Sequence, residues 1–436
     1  MAKVIITAIG SAGDVHPLIG IGASLAARGH RIVFCTHAPF AELAERRGFQ
    51  FVPIGTREEY AAAMADPALW HPRTSFRTLW NVIAPTLRPH FDTLASLTDA
   101  DTVLVGTLWA FSARLMQEIH GVPFVSVQVS PSTLLSAHAP PTHKRLTIPR
   151  RLPLALKTGL LSMVEHHVLD KVCGPALNVL RRELGLLPAR RIMGEWLHST
   201  DGILCLFPEW FAQPQPDWPK PHLLGGFPLF NDIGTQAPDS GLDAFLAAGE
   251  RPLVFTAGST LIDNKRYAST VEESLRETGL RGILLTPDAG AADAHDAQST
   301  LLKRRYVPMG TLLPRCRALV HHGGIGTAAL AYAAGIAQIV TPFAHDQFDN
   351  AQRVADSGCG IRIDAPVNGR TLARAIEKVL GSPSIAIQCG RIQDRLSGAV
   401  DGCDAAARYI ERFAAPRAQP AHATSARVEL GEVQRA

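Results

Sequence analysis

Val4-Ile5-Ile6-Thr7-Ala8-Ile9, then Gly10-Ser11-Ala12-Gly13-Asp14-Val15-His16-Pro17, then Leu18–Ala27 open the chain. The first run is β-branched and apolar and reads as a strand. The second is a glycine-bearing turn, and the third places apolar residues at helical spacing before Arg28-Gly29-His30 ends it. Pro17 stands where the helix is expected to begin, because a residue lacking an N–H is tolerated at a first helical position. Arg31–Thr36 reads as the next strand. Strand, glycine turn, helix and strand in this order open a parallel, doubly wound sheet.

The same pattern starts again near Arg251. Pro252–Thr256 is a strand, Ala257-Gly258-Ser259-Thr260 a glycine turn, Tyr267–Thr278 a helix and Gly282–Thr286 a strand. Arg304–Val307, Ala318–His321 and Gln338–Thr341 continue it, as Thr102–Gly106, Phe124–Gln128 and Gly202–Leu206 do in the first half. The expected class is therefore α/β, with two Rossmann-like doubly wound domains at 1–230 and 251–413. Residues 231–250, within a stretch rich in Gly, Pro, Asp and Ser, read as the linker. The tail at 414–436 reads as mobile. Residues 60–100 and 131–200 do not read as plain βαβ units. They either shape a substrate pocket or add helices over the sheet.

Composition narrows the function classes. The 436 residues suit two domains, and 46% hydrophobic with 19% charged residues supports sizeable cores. Lys plus Arg is 43 against 39 Asp plus Glu, too even a balance to argue for nucleic acid. Seven cysteines without a Cys-x-x-Cys pair argue against a disulfide scaffold or a structural zinc site. No apolar run approaches about 18 residues, and the N-terminus lacks signal-peptide character, so a cytoplasmic protein is expected.

The strongest chemical signal is Leu319-Val320-His321-His322-Gly323-Gly324-Ile325-Gly326-Thr327. A strand ends there, Gly323, Gly324 and Gly326 permit close backbone approach, and a helix begins. Free N–H groups at a helix start attract a diphosphate; His322 and Thr327 add donors. The plainer reading is an ordinary strand-to-helix turn. One unit later come His345-Asp346-Gln347-Phe348-Asp349-Asn350. Asp346 and Gln347 suit sugar hydroxyls, or else Asp346 or Asp349 caps a helix. Both loops follow strands, so they open on the edge where doubly wound sheets bind ligands. Ser259 and Thr260 lie on that edge too, where they either bind the diphosphate from the other side or form a simple turn, and Tyr306-Val307 can offer a ring and backbone groups to a nucleobase. In the first half Asp14 and His16 sit in the loop after the first strand as general-base candidates, or as simple turn and cap residues. Asp99-Ala100-Asp101 resembles an Asp-x-Asp metal motif but precedes its strand, at the wrong end of the sheet. His166-His167 lacks the spacing for joint ligation. No metal site is expected.

These residues together resemble the nucleotide-sugar glycosyltransferases of the GT-B type, two Rossmann-like domains facing a cleft. His322-Gly323-Gly324-Ile325-Gly326-Thr327 with Asp346-Gln347 resembles their donor signature. Gly10-Ser11-Ala12-Gly13-Asp14-Val15 resembles the opening of the bacterial and sterol-modifying branch. Ser130-Pro131-Ser132-Thr133-Leu134-Leu135-Ser136-Ala137-His138, Phe207-Pro208-Glu209-Trp210-Phe211, Gly226–Phe230 and Pro67–Trp70 are similar to the rhamnosyltransferases of rhamnolipid synthesis. That resemblance implies dTDP-L-rhamnose as donor and no cofactor. It further implies a 3-(3-hydroxyalkanoyloxy)alkanoate acceptor, inversion at the anomeric carbon and a mono-rhamnolipid product. It implies donor contacts from Gly13, the Ser259–Thr260 turn and the C-terminal motifs, with Asp14 as base; the plant branch uses a loop His, which keeps His16 open.

Such an acceptor calls for an apolar pocket. Trp70, Phe76, Trp80, Ser132, Leu134 and Leu135 are the candidates for it; the apolar ones among them can equally be plain core. The stretch Lys144–Lys157 carries Lys144, Arg145, Arg150, Arg151 and Lys157 without an acid. It either touches anionic lipid at the inner membrane or forms a solvated basic face. Competing functions are transfer to a polyketide or sterol, nucleotide-sugar epimerisation and a non-catalytic nucleotide-binding subunit.

Overall fold

The computed structural model describes residues 1–144, 147–230, 239–258, 264–289, 299–364 and 367–414. Ser259, Thr260, Arg145, the first part of the expected linker (231–238) and all of the tail after Ala414 lie outside the described residues.

The first half holds a seven-stranded parallel sheet. Its strands are β1 (Lys3–Ala8), β2 (Arg31–Thr36), β3 (Gln50–Pro53), β4 (Thr102–Gly106), β5 (Phe124–Gln128), β6 (Gly202–Cys205) and β7 (His222–Leu224). Their order is β3-β2-β1-β4-β5-β6-β7. The second half holds six: β8 (Leu253–Thr256), β9 (Gly282–Leu285), β10 (Leu301–Arg304), β11 (Ala318–His321), β12 (Ala337–Val340) and β13 (Gly360–Arg362), ordered β10-β9-β8-β11-β12-β13. Both orders reverse beside the half's first strand, the switch point where doubly wound sheets open a crevice. Central strands such as Val4–Ile6 and Leu319–Val320 are buried on both faces, hence their unbroken apolar runs.

Among the helices that place the site or recur below, α1 spans Ala12–Ala27, α2 Leu154–Val164, α3 Asp170–Glu183, α4 Ser240–Ala247, α5 Ile325–Ala333, α6 Gln347–Asp356 and α7 Gly402–Glu411. Three expectations need correction. First, α1 starts at Ala12, not Leu18, with Ser11 as N-cap, and Pro17 lies inside it. Second, α4 lies within the stretch expected to be linker. Its Leu242 and Phe245 join Val254, Ile283 and Leu319 in the second half's core, so apolar burial outweighs the turn-like composition. Third, α7 was expected in the second half. Its Cys403, Ala406, Ala407, Tyr409 and Ile410 instead pack with Leu18, Ile21 and Leu25 against the first sheet.

One apolar cluster spans the halves. Phe207, Phe211 and Phe227 from the first meet Tyr332, Val340 and Val354 from the second. Trp210 stacks edge-on against Tyr332 at 5.1 Å, and Arg353 donates to the Phe211 carbonyl oxygen at 3.1 Å. Among the described residues no helix is long and apolar enough to cross a membrane.

Candidate active site

Register brings the site loops together. Thr256, His321 and Val340 pair side by side at the carboxyl ends of β8, β11 and β12, so Gly258 and His322 emerge as neighbours. In the first sheet Ala8 pairs with Thr36, which sets Gly10 beside His37. These two edges face a single cavity of about 1120 Å³.

The His322 ring lies in a slot between two glycines. A Cβ on Gly258 would come within 2.6 Å of it, and one on Gly324 within 2.7 Å. Burial lowers the His322 pKa to about 4, so the imidazole is neutral. Its buried Nδ1 meets no hydrogen-bond partner among the described residues. His321 takes the opposite role. Gly323 N–H donates to its Nδ1 (3.2 Å), which leaves Nε2–H to donate to Gln338 Oε1 (3.0 Å). That bond holds Gly323 at φ 100°, a left-handed conformation that suits glycine. Beyond it, α5 starts at Ile325 with Gly324 as N-cap. Gly324, Ile325, Gly326 and Thr327 line the cavity, while Gly323 lies behind them. The first N–H groups of α5 lack intrahelical acceptors and carry the helix's positive end.

Asn350 ties this turn to both halves. Fully buried on α6, its Nδ2 donates to the Gly323 carbonyl oxygen (3.0 Å) and to Asp346 Oδ2 (2.8 Å). Its Oδ1 accepts from Ser130 Oγ of the first half at 3.1 Å. Asp346 is the N-cap residue of α6 but makes no capping bond with its side chain; the carboxyl lines the cavity, and burial raises its pKa. Asp349 is structural, accepting from Thr142 N–H (2.8 Å) and Arg353 Nε (2.7 Å). Gln347 also lines the cavity, but its Oε1 accepts from the N–H groups of Phe343 (3.0 Å) and Ala344 (3.1 Å). Only its NH₂ end remains for a ligand.

Across the cavity, Asp14 occupies the third position of α1, not a loop. Its Oδ2 accepts from Ser11 N–H (2.9 Å) and Ser11 Oγ (3.2 Å). Burial raises its pKa to about 6, Asp346 adds to the rise, and the Ser11 bonds oppose it. Gly10 at φ 140° leaves room for this carboxyl, which fills the space a Cβ would need. Gly10 N–H in turn donates to His37 Nε2 (3.3 Å), so the ring proton sits on Nδ1 and goes to the Ile54 carbonyl oxygen (3.1 Å). His37 was not among the sequence candidates; nothing in the linear pattern links it to Gly10. His16 also lines the cavity, edge-on to Phe40 at 6.0 Å. Two residues apart on one helix, Asp14 and His16 point different ways.

The remaining candidates divide. Gly13, Tyr306, Val307, Trp70 and Ser132 line the cavity. Tyr306 and Val307 follow β10, which ends at Arg304, so the expected strand Arg304–Val307 is displaced by three residues. Trp70 meets His345 of the second half at 5.4 Å. Phe76, Trp80, Leu134 and Leu135 do not line the cavity. Trp80 is 3% exposed in the first-half core, with Phe76 and Leu135 packed against it, and Leu134 is in the cluster between halves. The apolar wall is built instead by Met64, Leu69, Leu79, Val82, Ile83 and Trp109, with Trp70 beside them. Among the described residues, Arg305 is the one Lys or Arg that lines the cavity, on the second-half side. Asp99 sits before β4, paired with Lys3 and Thr102, far from this edge.

Two family models cover most of this geometry. The glycosyltransferase family 28 N-terminal domain matches residues 4–139, and the erythromycin biosynthesis protein CIII-like C-terminal domain matches 283–399. Glycosyltransferase GtfC of Amycolatopsis orientalis is 31% identical over 376 residues, spanning 84% of this chain and 87% of that protein. A sterol 3-beta-glucosyltransferase of Saccharomyces cerevisiae is 26% identical over 89% of this chain, which spans 33% of that longer protein. Among solved structures, the glycotransferase of kitacinnamycin superposes with a TM-score of 0.70 at 19% identity, covering 95% of this chain and 99% of that one. The spinosyn rhamnosyltransferase complexed with thymidine diphosphate gives 0.63 at 20% identity, covering 94% and 100%. These structural likenesses speak for the fold.

Proposed function

The chain belongs to the glycosyltransferase family built on two facing Rossmann-like domains, and from that membership we propose that it transfers a sugar, with inversion, from a nucleoside diphosphate to the hydroxyl of a small lipophilic acceptor. The observation that carries this reading is one cavity holding a diphosphate-type helix start on one side and a carboxyl raised to about 6 on the other.

In this reading the diphosphate rests on the first N–H groups of α5 and meets the His322 ring, whose neutral form supplies one N–H. Asp346 and the NH₂ end of Gln347 meet the sugar, Tyr306 and Val307 the base. Asp14 accepts the proton of the acceptor hydroxyl. The hydroxyl oxygen bonds the anomeric carbon as the bond to the diphosphate breaks on the opposite face. Charge grows on the diphosphate in the transition state, where the helix end and His322 stabilise it. With that charge met by the protein, the mechanism calls for no metal.

On the sequence resemblance alone, the donor would be dTDP-L-rhamnose and the acceptor a 3-(3-hydroxyalkanoyloxy)alkanoate. The wall from Met64 to Trp109 supports a long apolar acceptor. It offers no Lys or Arg to a carboxylate, so such a lipid would carry its charge at the cavity mouth. That feature and the names of the relatives favour a second reading over the first, an uncharged polyketide or sterol acceptor. Mass spectrometry of the purified protein with dTDP-rhamnose and a panel of hydroxyacyl lipids, polyketides and sterols separates them. A rhamnosylated hydroxyacyl lipid supports the first, a glycosylated sterol or polyketide alone the second. Donor conversion without acceptor would instead indicate an epimerase, and nucleotide binding without turnover a regulatory subunit.

A further inference from the structure

The helix α2 is apolar on its exposed side as well as towards the protein. Its one buried residue is Lys157, whose Nζ donates to the His138 carbonyl oxygen at 3.4 Å. Four of its six large apolar side chains face outward, Leu154 44% exposed, Leu156 57%, Leu160 37% and Met163 52%, while Leu161 and Val164 are half-buried; Val168 follows at 43% on the π-turn that leads into α3. A surface helix in water presents the reverse pattern, polar side out. Apolar side chains scattered singly are ordinary, but five crowded into residues 154–168 make a patch that calls for a partner.

The charges around the patch say what kind. Residues 144–171 contain six Lys and Arg against two acids, Glu165 and Asp170. Both acids are already engaged. Glu165 is buried and pairs with Arg191, and Asp170 accepts from the N–H groups of Arg191 and Ile192. Arg150, Arg151, His166, His167 and Lys171 remain exposed at the two ends of the apolar stretch. The basic stretch foreseen from sequence contributes less than its composition suggests. Lys157 is inside, Lys144 lies over the Phe348 ring at 5.9 Å, and Arg150 pairs with Asp356 at 3.2 Å.

We propose that α2 and the following π-turn form a docking surface for an anionic lipid bilayer. The helix lies in the interface plane, with its leucines and Met163 among the acyl chains and the flanking cations at lipid phosphates. Exposed apolar side chains to bury among acyl chains, with cations beside them for anionic lipid, supply the two attractions that hold a helix at a membrane interface. The proposal stands on exposure and charge, independently of which acceptor the cavity takes.

The test is co-sedimentation of the full chain with vesicles of phosphatidylcholine alone or mixed equally with phosphatidylglycerol, at low and high salt. The parent should bind the anionic vesicles and release with salt. The double variant Leu156→Glu, Leu160→Glu should bind them at least about tenfold more weakly, because both side chains leave the acyl region. Its dTDP affinity and melting temperature should stay at parental values, since both positions are exposed and outside the cavity. Equal vesicle binding by parent and variant, or none by the parent, overturns the proposal. So does a self-associated form of the parent that the double variant breaks, because a second copy would then cover the patch.

Discussion

Asp346 stands across the cleft from Asp14, close enough that its carboxylate adds to burial in raising the Asp14 carboxyl to about 6. One residue stands at the N-cap position of α6 in the second half and the other lies in the first turn of α1. A carboxyl in this state is ionised near neutrality, yet holds a proton more readily than an ordinary Asp.

The first prediction follows from that coupling. Replacing Asp346 by Asn removes a negative charge and makes Asp14 easier to ionise, so the acid limb of the pH–rate profile should move to lower pH. Donor binding should weaken as well, since the proposed sugar contact changes. A limb that stays in place while affinity falls would leave Asp346 as a sugar contact with no influence on Asp14.

Asp14 also has a stability signature. Its folded-state pKa of about 6 lies above the ordinary 3.8, so the folded protein holds this proton more tightly than the unfolded chain. The penalty is absent below 3.8 and complete above about 6. Asp14→Asn should therefore melt at a higher temperature than the parent above pH 6, and the gain should vanish towards pH 4. Equal melting across the range would contradict the burial of this carboxyl.

Gly258→Ala tests the histidine slot. Its φ of 79° and the 2.6 Å approach to His322 mean that a methyl displaces the ring. Affinity for dTDP by calorimetry should fall as far as in His322→Ala, with little further loss in the double variant. Additive losses would show that the glycine acts through something else.

Asn350→Ala strands the Gly323 carbonyl and takes one of its partners from the Ser130 hydroxyl, which keeps Ser132. Leaving a buried carbonyl unpaired costs about 1–3 kcal/mol. A lower melting temperature and weaker dTDP binding should appear together. Activity in excess chelator should be that of the untreated enzyme, because the helix end and His322 meet the diphosphate charge; loss with recovery on adding magnesium would contradict this.

Much of this architecture is legible in the residues, for a physical reason. Strands buried on both faces need continuous apolar runs, so β2, β4, β5 and β11 were placed to the residue. The edge strands β3, β7 and β13 are three or four residues long and carry no such run, and they were missed. The start of α1 was misjudged because Pro17 fits a first helical position; Ser11 as N-cap with Asp14 at the third position was the better signal. The glycine turn before α5 was legible because Gly323, Gly324 and Gly326 fall within four residues. His37, His321 and Asn350 were not, since their partners Gly10, Gln338 and Ser130 meet them only through strand register or across the halves. The acceptor wall misled for another reason: Trp80 and Leu134 have the composition of a pocket and the burial of a core, and sequence does not separate the two.

His37 is expected to position Gly10, and through it the start of α1 that carries Asp14, without touching substrate. His37→Ala should lower kcat and shift the acid limb while KM for the donor holds, and His37→Asn, which restores a donor and an acceptor, should recover part of the rate. A uniform loss of folded protein with an unchanged limb would assign it a purely structural role.

The central claim is that Asp14 takes the proton of the acceptor hydroxyl, and single-turnover kinetics with saturating donor and acceptor test it most directly. Asp14→Asn keeps the size and the Ser11 hydrogen bonds but is a far poorer proton acceptor, so the rate should fall by about 10²–10⁴ and the limb near pH 6 should disappear. His16→Ala should keep most of the rate and the limb. If Asp14→Asn stays within about threefold of the parent while His16→Ala collapses, far from the loss expected on removing a general base, then His16 is the base and the account of Asp14 is wrong.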